Sequence, residues 1–216
     1  MASAVLIVAS TRVHADPQEI LRIQDTVAAL REQGRAVDIL VPRKAALLTA
    51  TLDPTARIFV IPPTPFSDTP PDRPSLRRFI TAAAMVFRGL SLAARRDYVV
   101  IHGFNDGAII ARYLTRISVS RRPYIAEILN PFSSQRFFKS PRRAVACRLE
   151  QKALVQAAAI ILPDEGTLTR FRRKIPVGRV SVLPDPHTEF APESFTLGDY
   201  RYALEHIYSY VLRPRF

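Results

Sequence analysis

DYVVIHGFNDGAIIARYL, residues 97–114, runs from a β-branched apolar stretch at 98–104 through the polar turn His102-Gly103-Phe104-Asn105-Asp106-Gly107 into a helical pattern. A buried strand that hands its polar turn directly to a helix is the unit of a parallel sheet, because parallel strands need a crossover connection. Outward from it lie six further short apolar runs, at 4–10, 36–42, 57–62, 124–129, 159–163 and 180–185, most of them separated by helical stretches. The alternation predicts an α/β, doubly wound, mostly parallel sheet of about seven strands. Open sheets of this kind bind ligands at the carboxyl ends of their strands, so the search for a site narrows to seven loops.

The helical stretches carry their own signals. Before the first, Asp16 can cap, Pro17 suits the first helical position, Glu19 completes a capping box and Gly34 stops the helix, with Ile20, Ile23, Val27 and Leu30 as its apolar stripe. The proline-dense segment 62–74 excludes regular structure. Residues 75–96 then place Leu76, Phe79, Ile80, Ala83, Phe87 and Leu90 on one face, with positive charge from Arg77, Arg78, Arg88, Arg95 and Arg96. Such a helix either packs its stripe on the sheet with solvated arginines or lies on an anionic membrane surface. Near the end, Thr196 can cap a last helix whose stripe is Tyr200, Leu204, Ile207 and Val211.

The chain has 216 residues, 48% of them hydrophobic, enough for one sizeable core. Thirty-one Lys and Arg against 19 Asp and Glu give a net charge of +12, which favours nucleotides, phosphosugars, acidic lipid headgroups or nucleic acid. Biased genomic composition would produce the same arginine excess without any binding role. Nucleic acid is disfavoured, since the aromatics fall in strands and helix stripes rather than among the arginines. The lone Cys147 excludes a disulfide framework and a cysteine zinc cluster and fits a reducing compartment. Four scattered histidines assemble no metal site, and no Gly-x-Ser-x-Gly elbow is present. No charged n-region opens the sequence, and no apolar stretch approaches the ~20 residues that span a bilayer.

Two loops and one strand position hold the chemistry. After the first strand, Ser10-Thr11-Arg12-Val13-His14-Ala15-Asp16 leads into a helix N-terminus, which favours an anionic group. The loop contains no glycine, so neither a dinucleotide fingerprint nor a P-loop is present. At the end of the fourth strand His102, Asn105 and Asp106 gather; the histidine either orients or deprotonates a substrate hydroxyl or is a satisfied structural residue, and Asp106 also suits a helix cap. Glu127 stands inside the apolar fifth strand, facing the site or paired beneath it.

In their order along the chain, these residues carry a resemblance. REQGRAVDILVP at 31–42, DYVVIHGFNDGAIIARYL at 97–114, Arg148-Leu149-Glu150 followed by ALVQAAAIILPD at 153–164, and RVSVLPDPHTEFAP at 179–192 resemble successive motifs of the N-terminal, acceptor-side domain of GT-B glycosyltransferases of family 4. YRYALEHIYSYVL at 200–212 resembles that family's extreme C-terminus, which crosses back onto the N-terminal domain. Departures are Gln18 in place of the frequent arginine, Asn130 in place of a frequent aspartate, and Asp185-Pro186 in place of Asn-Gly.

The resemblance implies a single Rossmann-like domain over residues 1–190, with 191–216 as a tail and helix packing back on it. About thirty residues follow the Asp-Pro turn, where the family places a whole donor domain, so the expected protein is an acceptor-binding half-transferase. It would bind no cofactor permanently and would meet a nucleotide-sugar only where a donor-domain partner chain or homo-oligomer supplies the site. A catalytically inactive sugar-binding, regulatory or membrane-associated module is the alternative. The acceptor, a sugar or lipid-linked sugar, would lie across Thr11, Arg12, His14, Asn105 and Asp106. His102 is the catalytic candidate, because the family's corresponding histidine lies near the reaction centre. The expected location is the cytoplasm, with peripheral contact to an anionic inner membrane through Arg77, Arg78, Arg88, Arg95 and Arg96.

Overall fold

A computed structural model describes residues 4–10, 17–42, 56–61, 76–118, 122–131, 141–186 and 195–213. The elements are β1 (Ala4–Val8), α1 (Pro17–Glu32), β2 (Ala36–Val41), β3 (Arg57–Val60), α2 (Leu76–Arg95), β4 (Tyr98–Phe104), α3 (Gly107–Ile117), β5 (Tyr124–Glu127), α4 (Pro141–Gln156), β6 (Ala159–Leu162), α5 (Glu165–Phe171), β7 (Val180–Val182) and α6 (Leu197–Leu212), with a 3-10 turn at Val177–Arg179. All seven strands run parallel in the order β3-β2-β1-β4-β5-β6-β7. This is the doubly wound sheet expected from the alternating apolar runs. The order reverses between β1 and β4, and that junction is the topological switch point where open α/β sheets hold their ligands.

Helices on both sides explain why β1 is buried throughout rather than alternating. On one face Val5 and Ile7 meet Ile23, Val27 and Leu30 of α1 together with Tyr200, Leu204, Tyr208 and Val211 of α6. Leu6 and Val8 turn to the other face and meet Met85 and Leu92 of α2, Ala108 and Leu114 of α3, and Leu154 of α4. Each fully buried Val, Leu or Ile contributes about 1.5–3 kcal/mol. The last helix is therefore part of the core. Thr196 caps it as the sequence indicates, in a reciprocal capping box with Asp199.

One stripe is rotated from its sequence reading. On α2 the buried positions are Met85, Gly89 and Leu92, whereas Phe87 is 73% exposed and Phe79 37%. The cause is close approach: a Cβ at Gly89 would stand 2.7 Å from the Leu114 side chain, so α2 meets α3 along its glycine side. The run from Ala82 to Val86 is apolar nearly all round, and its periodicity does not select a face.

A buried carboxylate sits in β2. Asp38 accepts paired hydrogen bonds from Arg57 at 3.0 Å, a bond from Arg96 at 2.6 Å and one from the Tyr98 hydroxyl at 2.6 Å. Burial, with the Asp38 carboxylate beside it, pushes the Tyr98 hydroxyl well above its ordinary range.

Candidate functional site

The switch point is built by one tight contact and one unusual turn. A Cβ on Gly107 would lie 2.2 Å from the carbonyl oxygen of Val8, so only glycine lets α3 begin against the end of β1. Just before it, Asn105 adopts φ 49°, a left-handed conformation that asparagine tolerates better than most residues. The side chains around this turn hold it in place. Asn105 Oδ1 accepts from the backbone N–H groups of Leu129 and Asn130 at 2.9 Å each, and its own N–H donates to the Glu127 carbonyl at 2.7 Å.

Glu19, on the first turn of α1, joins the two sides of the switch point. Its carboxylate accepts from the Ser10 N–H at 2.8 Å, the Ser10 hydroxyl at 2.7 Å and the Asn105 side-chain amide at 2.7 Å. Burial outweighs these bonds and pushes the carboxyl up to about 7 from an ordinary 4.5, with Asp106 adding to the rise. A carboxyl that titrates near neutrality can take or release a proton at physiological pH.

Below it lies a fully buried charge network. The Arg22 guanidinium donates Nε–H to Glu127 Oε1 at 2.7 Å, and its two terminal nitrogens donate to the Pro184 and Leu183 carbonyls at 2.8 Å each. The guanidinium carbon is 3.8 Å from the centre of the Tyr200 ring, whose hydroxyl is bonded to Thr26 at 2.9 Å. Glu127 Oε2 stands 3.1 Å from His102 Nε2, an ion-pair distance with a bent hydrogen-bond geometry. Burial pushes the Glu127 carboxyl up, but Arg22 and His102 outweigh it and hold the carboxyl below its ordinary range.

His102 Nδ1 is 2.7 Å from the Tyr208 hydroxyl, and its ring stacks on Phe104 at 4.6 Å. A carboxylate can only accept, so in the neutral ring the proton resides on Nε2 and Tyr208 donates to Nδ1. Burial keeps the Tyr208 and Tyr200 hydroxyls protonated, raising both well above the ordinary tyrosine range.

Of the residues chosen from sequence, the structure gathers His102, Asn105 and Asp106 around the end of β4, with His102 fully buried and Asn105 and Asp106 at 8% and 7% exposure. Asp106 occupies the N-cap position of α3 without a side-chain capping bond and instead pairs with Arg78 of α2 at 2.9 Å. Beside that pair opens an apolar cavity of about 300 Å³, bordered by Phe79, Ala83, Phe87, Ile110, Tyr113 and Leu149. Thr11, Arg12, His14 and Asp16 lie outside the described residues, as does the side chain of Arg77.

Sequence reasoning passed over Arg22, and it read Glu19 only as part of a cap. A signal was present: Glu19, Arg22 and Thr26 fall on the same helical face as Ile23 and Leu30, where charged residues need buried partners.

No family model and no curated protein matches this sequence. Solved structures do. The chain superposes on sucrose-phosphate synthase from Thermosynechococcus elongatus with a TM-score of 0.65 at 16% identity, covering 84% of this chain and 48% of that one. A second structure of the same enzyme, designated 27_220_406_426, matches with a TM-score of 0.64 at 15% identity over 95% of this chain and 97% of that one. Arabidopsis thaliana UGT89C1 complexed with UDP matches with a TM-score of 0.56 at 13% identity, over 95% of this chain and 57% of that one. The chain thus spans about half the length of the whole enzymes it matches. At these identities the likeness is one of fold: a single α/β domain with the Rossmann-like architecture of one half of a GT-B glycosyltransferase.

Proposed function

We propose that the chain is the acceptor-binding half of a family 4, nucleotide-sugar-dependent glycosyltransferase, with the donor site supplied by a second domain or partner chain. The observation that carries this reading is the return of α6 onto the first half of the sheet, where Tyr200 covers Arg22 and Tyr208 meets His102. The second synthase structure, of which this chain covers 97% while itself matching over 95%, supports reading the chain as one such half. In this reading the acceptor lies across Asn105 and Asp106 together with Thr11, Arg12 and His14 of the preceding loop. Glu19 exchanges a proton near neutrality, and His102 holds the floor of the site through Glu127. An anionic membrane surface is a further partner, met by the exposed Phe87 edge of basic α2.

One observation favours the second reading, a catalytically inactive sugar-binding, regulatory or membrane-associated module. His102 is fully buried and engaged at both ring nitrogens, so it does not reach a bound sugar with α6 in place.

Saturation-transfer NMR of the chain tests the proposal, with a panel of monosaccharides, sugar phosphates and short-chain lipid-linked sugars beside UDP and GDP. Acceptor-class binding that Asp106→Asn weakens, without nucleotide binding, is the expected result. Tight nucleotide binding by this chain alone, or no sugar binding at all, would overturn it.

A further inference from the structure

At the opposite edge of the sheet, where β4 and β5 begin, a cleft of about 550 Å³ opens between α3, α4 and the end of α6. Three guanidinium groups line it, from Arg122 before β5, Arg179 before β7 and Arg213 at the end of α6, and no carboxylate is among its described lining residues. Arg122 is paired on one side with Asp97, and Arg179 donates to the Ala157 carbonyl at 3.2 Å.

Two polar atoms of residues that line this cleft have no partner among the described residues. Arg122 Nε and Thr115 Oγ1 are both buried with no hydrogen bond. Folded proteins leave few such atoms, and each costs about 1–3 kcal/mol. The carboxyl ends of α3, α4 and α6 bring about half a negative charge each. Together with Asp97 that is about two and a half negative charges against three formal positive ones, so the cleft remains weakly positive.

We propose that this cleft binds a small phosphorylated ligand, its phosphate oxygens held by Arg122, Arg179 and Arg213 and by the Thr115 hydroxyl. Guanidinium groups match phosphate oxygens in planar, paired hydrogen bonds. The organic part of the ligand lies against Val99, Tyr124 and Val211, which form the apolar wall. The site is separate from the switch point and independent of the transferase reading.

Calorimetric titration of the full chain with inorganic phosphate and with phenyl phosphate, at fixed ionic strength, tests it. Phenyl phosphate should bind several-fold tighter than phosphate, because only it uses the apolar wall. The pair Arg179→Gln and Arg213→Gln should weaken both ligands tenfold or more, while Arg78→Gln at the switch point leaves them unchanged. Thr115→Val, which preserves side-chain volume, should weaken binding three- to tenfold and covers the case in which the double variant fails to fold. The proposal falls if phosphate binds no tighter than chloride, if binding survives both sets of cleft substitutions, or if Arg78→Gln abolishes it.

Discussion

The hydroxyl of Tyr208 lies 2.7 Å from Nδ1 of His102, so the last helix closes a buried bond onto the fourth strand from 106 residues away. The two rings also meet edge to face at 5.8 Å. Tyr208→Phe keeps the ring and removes only the donor, leaving Nδ1 buried without one. The expected loss is about 1–3 kcal/mol in urea unfolding, with a changed Nδ1 shift in ¹⁵N NMR of the His102 ring. Unchanged stability and an unchanged ring spectrum would mean the bond contributes nothing to holding α6.

Arg22 and Glu127 form an ion pair with both side chains fully buried. Removing one partner strands the other charge, which typically costs about 3–5 kcal/mol. Arg22→Met should therefore destabilise strongly, and so should Glu127→Leu. Because the two share one penalty, the double variant should lose clearly less than the sum of the single losses. Additive losses in a double-mutant cycle would show that the Leu183 and Pro184 carbonyls, rather than Glu127, satisfy Arg22.

Glu19 should give the protein an unusual dependence on pH. Its folded carboxyl titrates at about 7 against an ordinary 4.5, so the folded state holds the proton more tightly than the unfolded chain. Its contribution is fully present below pH 4.5 and is lost as pH rises to 7, a change of about 3 kcal/mol. Glu127 works in the opposite sense: its carboxyl is held low, and its contribution is lost as pH falls through that lowered value. A ¹³C NMR titration of the Glu19 carboxyl should show a midpoint near 7. A midpoint near 4.5 would mean that the Ser10 and Asn105 bonds outweigh burial.

The strands were legible because each is a short β-branched run on a sheet covered on both faces; β4 spans 98–104 in the sequence reading and in the structure alike. Boundaries elsewhere moved inward where the apolar run outlasts the pairing, as at β7, which ends at Val182. The grouping of His102, Asn105 and Asp106 followed from their position at the end of a strand. What stayed hidden is long-range: Tyr208 facing His102, or Arg22 reaching Leu183 across 161 residues, depends on how α6 and the β7 loop return. Local periodicity holds no information on such pairings, although a charged residue in an apolar stripe announces that a partner exists.

The basic surface of α2 is smaller in the fold than the sequence count implies, which sharpens the membrane test. Arg78 is tied to Asp106, Arg96 to Asp38, and Arg88 lies 5.9 Å from the Phe59 ring, while Arg95 is exposed two turns along the helix from the protruding Phe87. No helix among the described residues is long and apolar enough to cross a membrane, so contact would be at the surface. Phe87→Ser together with Arg95→Gln should reduce co-sedimentation with phosphatidylglycerol vesicles, since an inserted aromatic and a basic side chain near an anionic surface contribute about 1.5–3 and about 1 kcal/mol. Binding of the unaltered chain should weaken with salt, as screening requires. Arg96→Gln should instead lower thermal stability by depriving buried Asp38 of a partner. Undiminished vesicle binding by the Phe87→Ser, Arg95→Gln variant would remove α2 as a membrane surface and leave its arginines as parts of the fold.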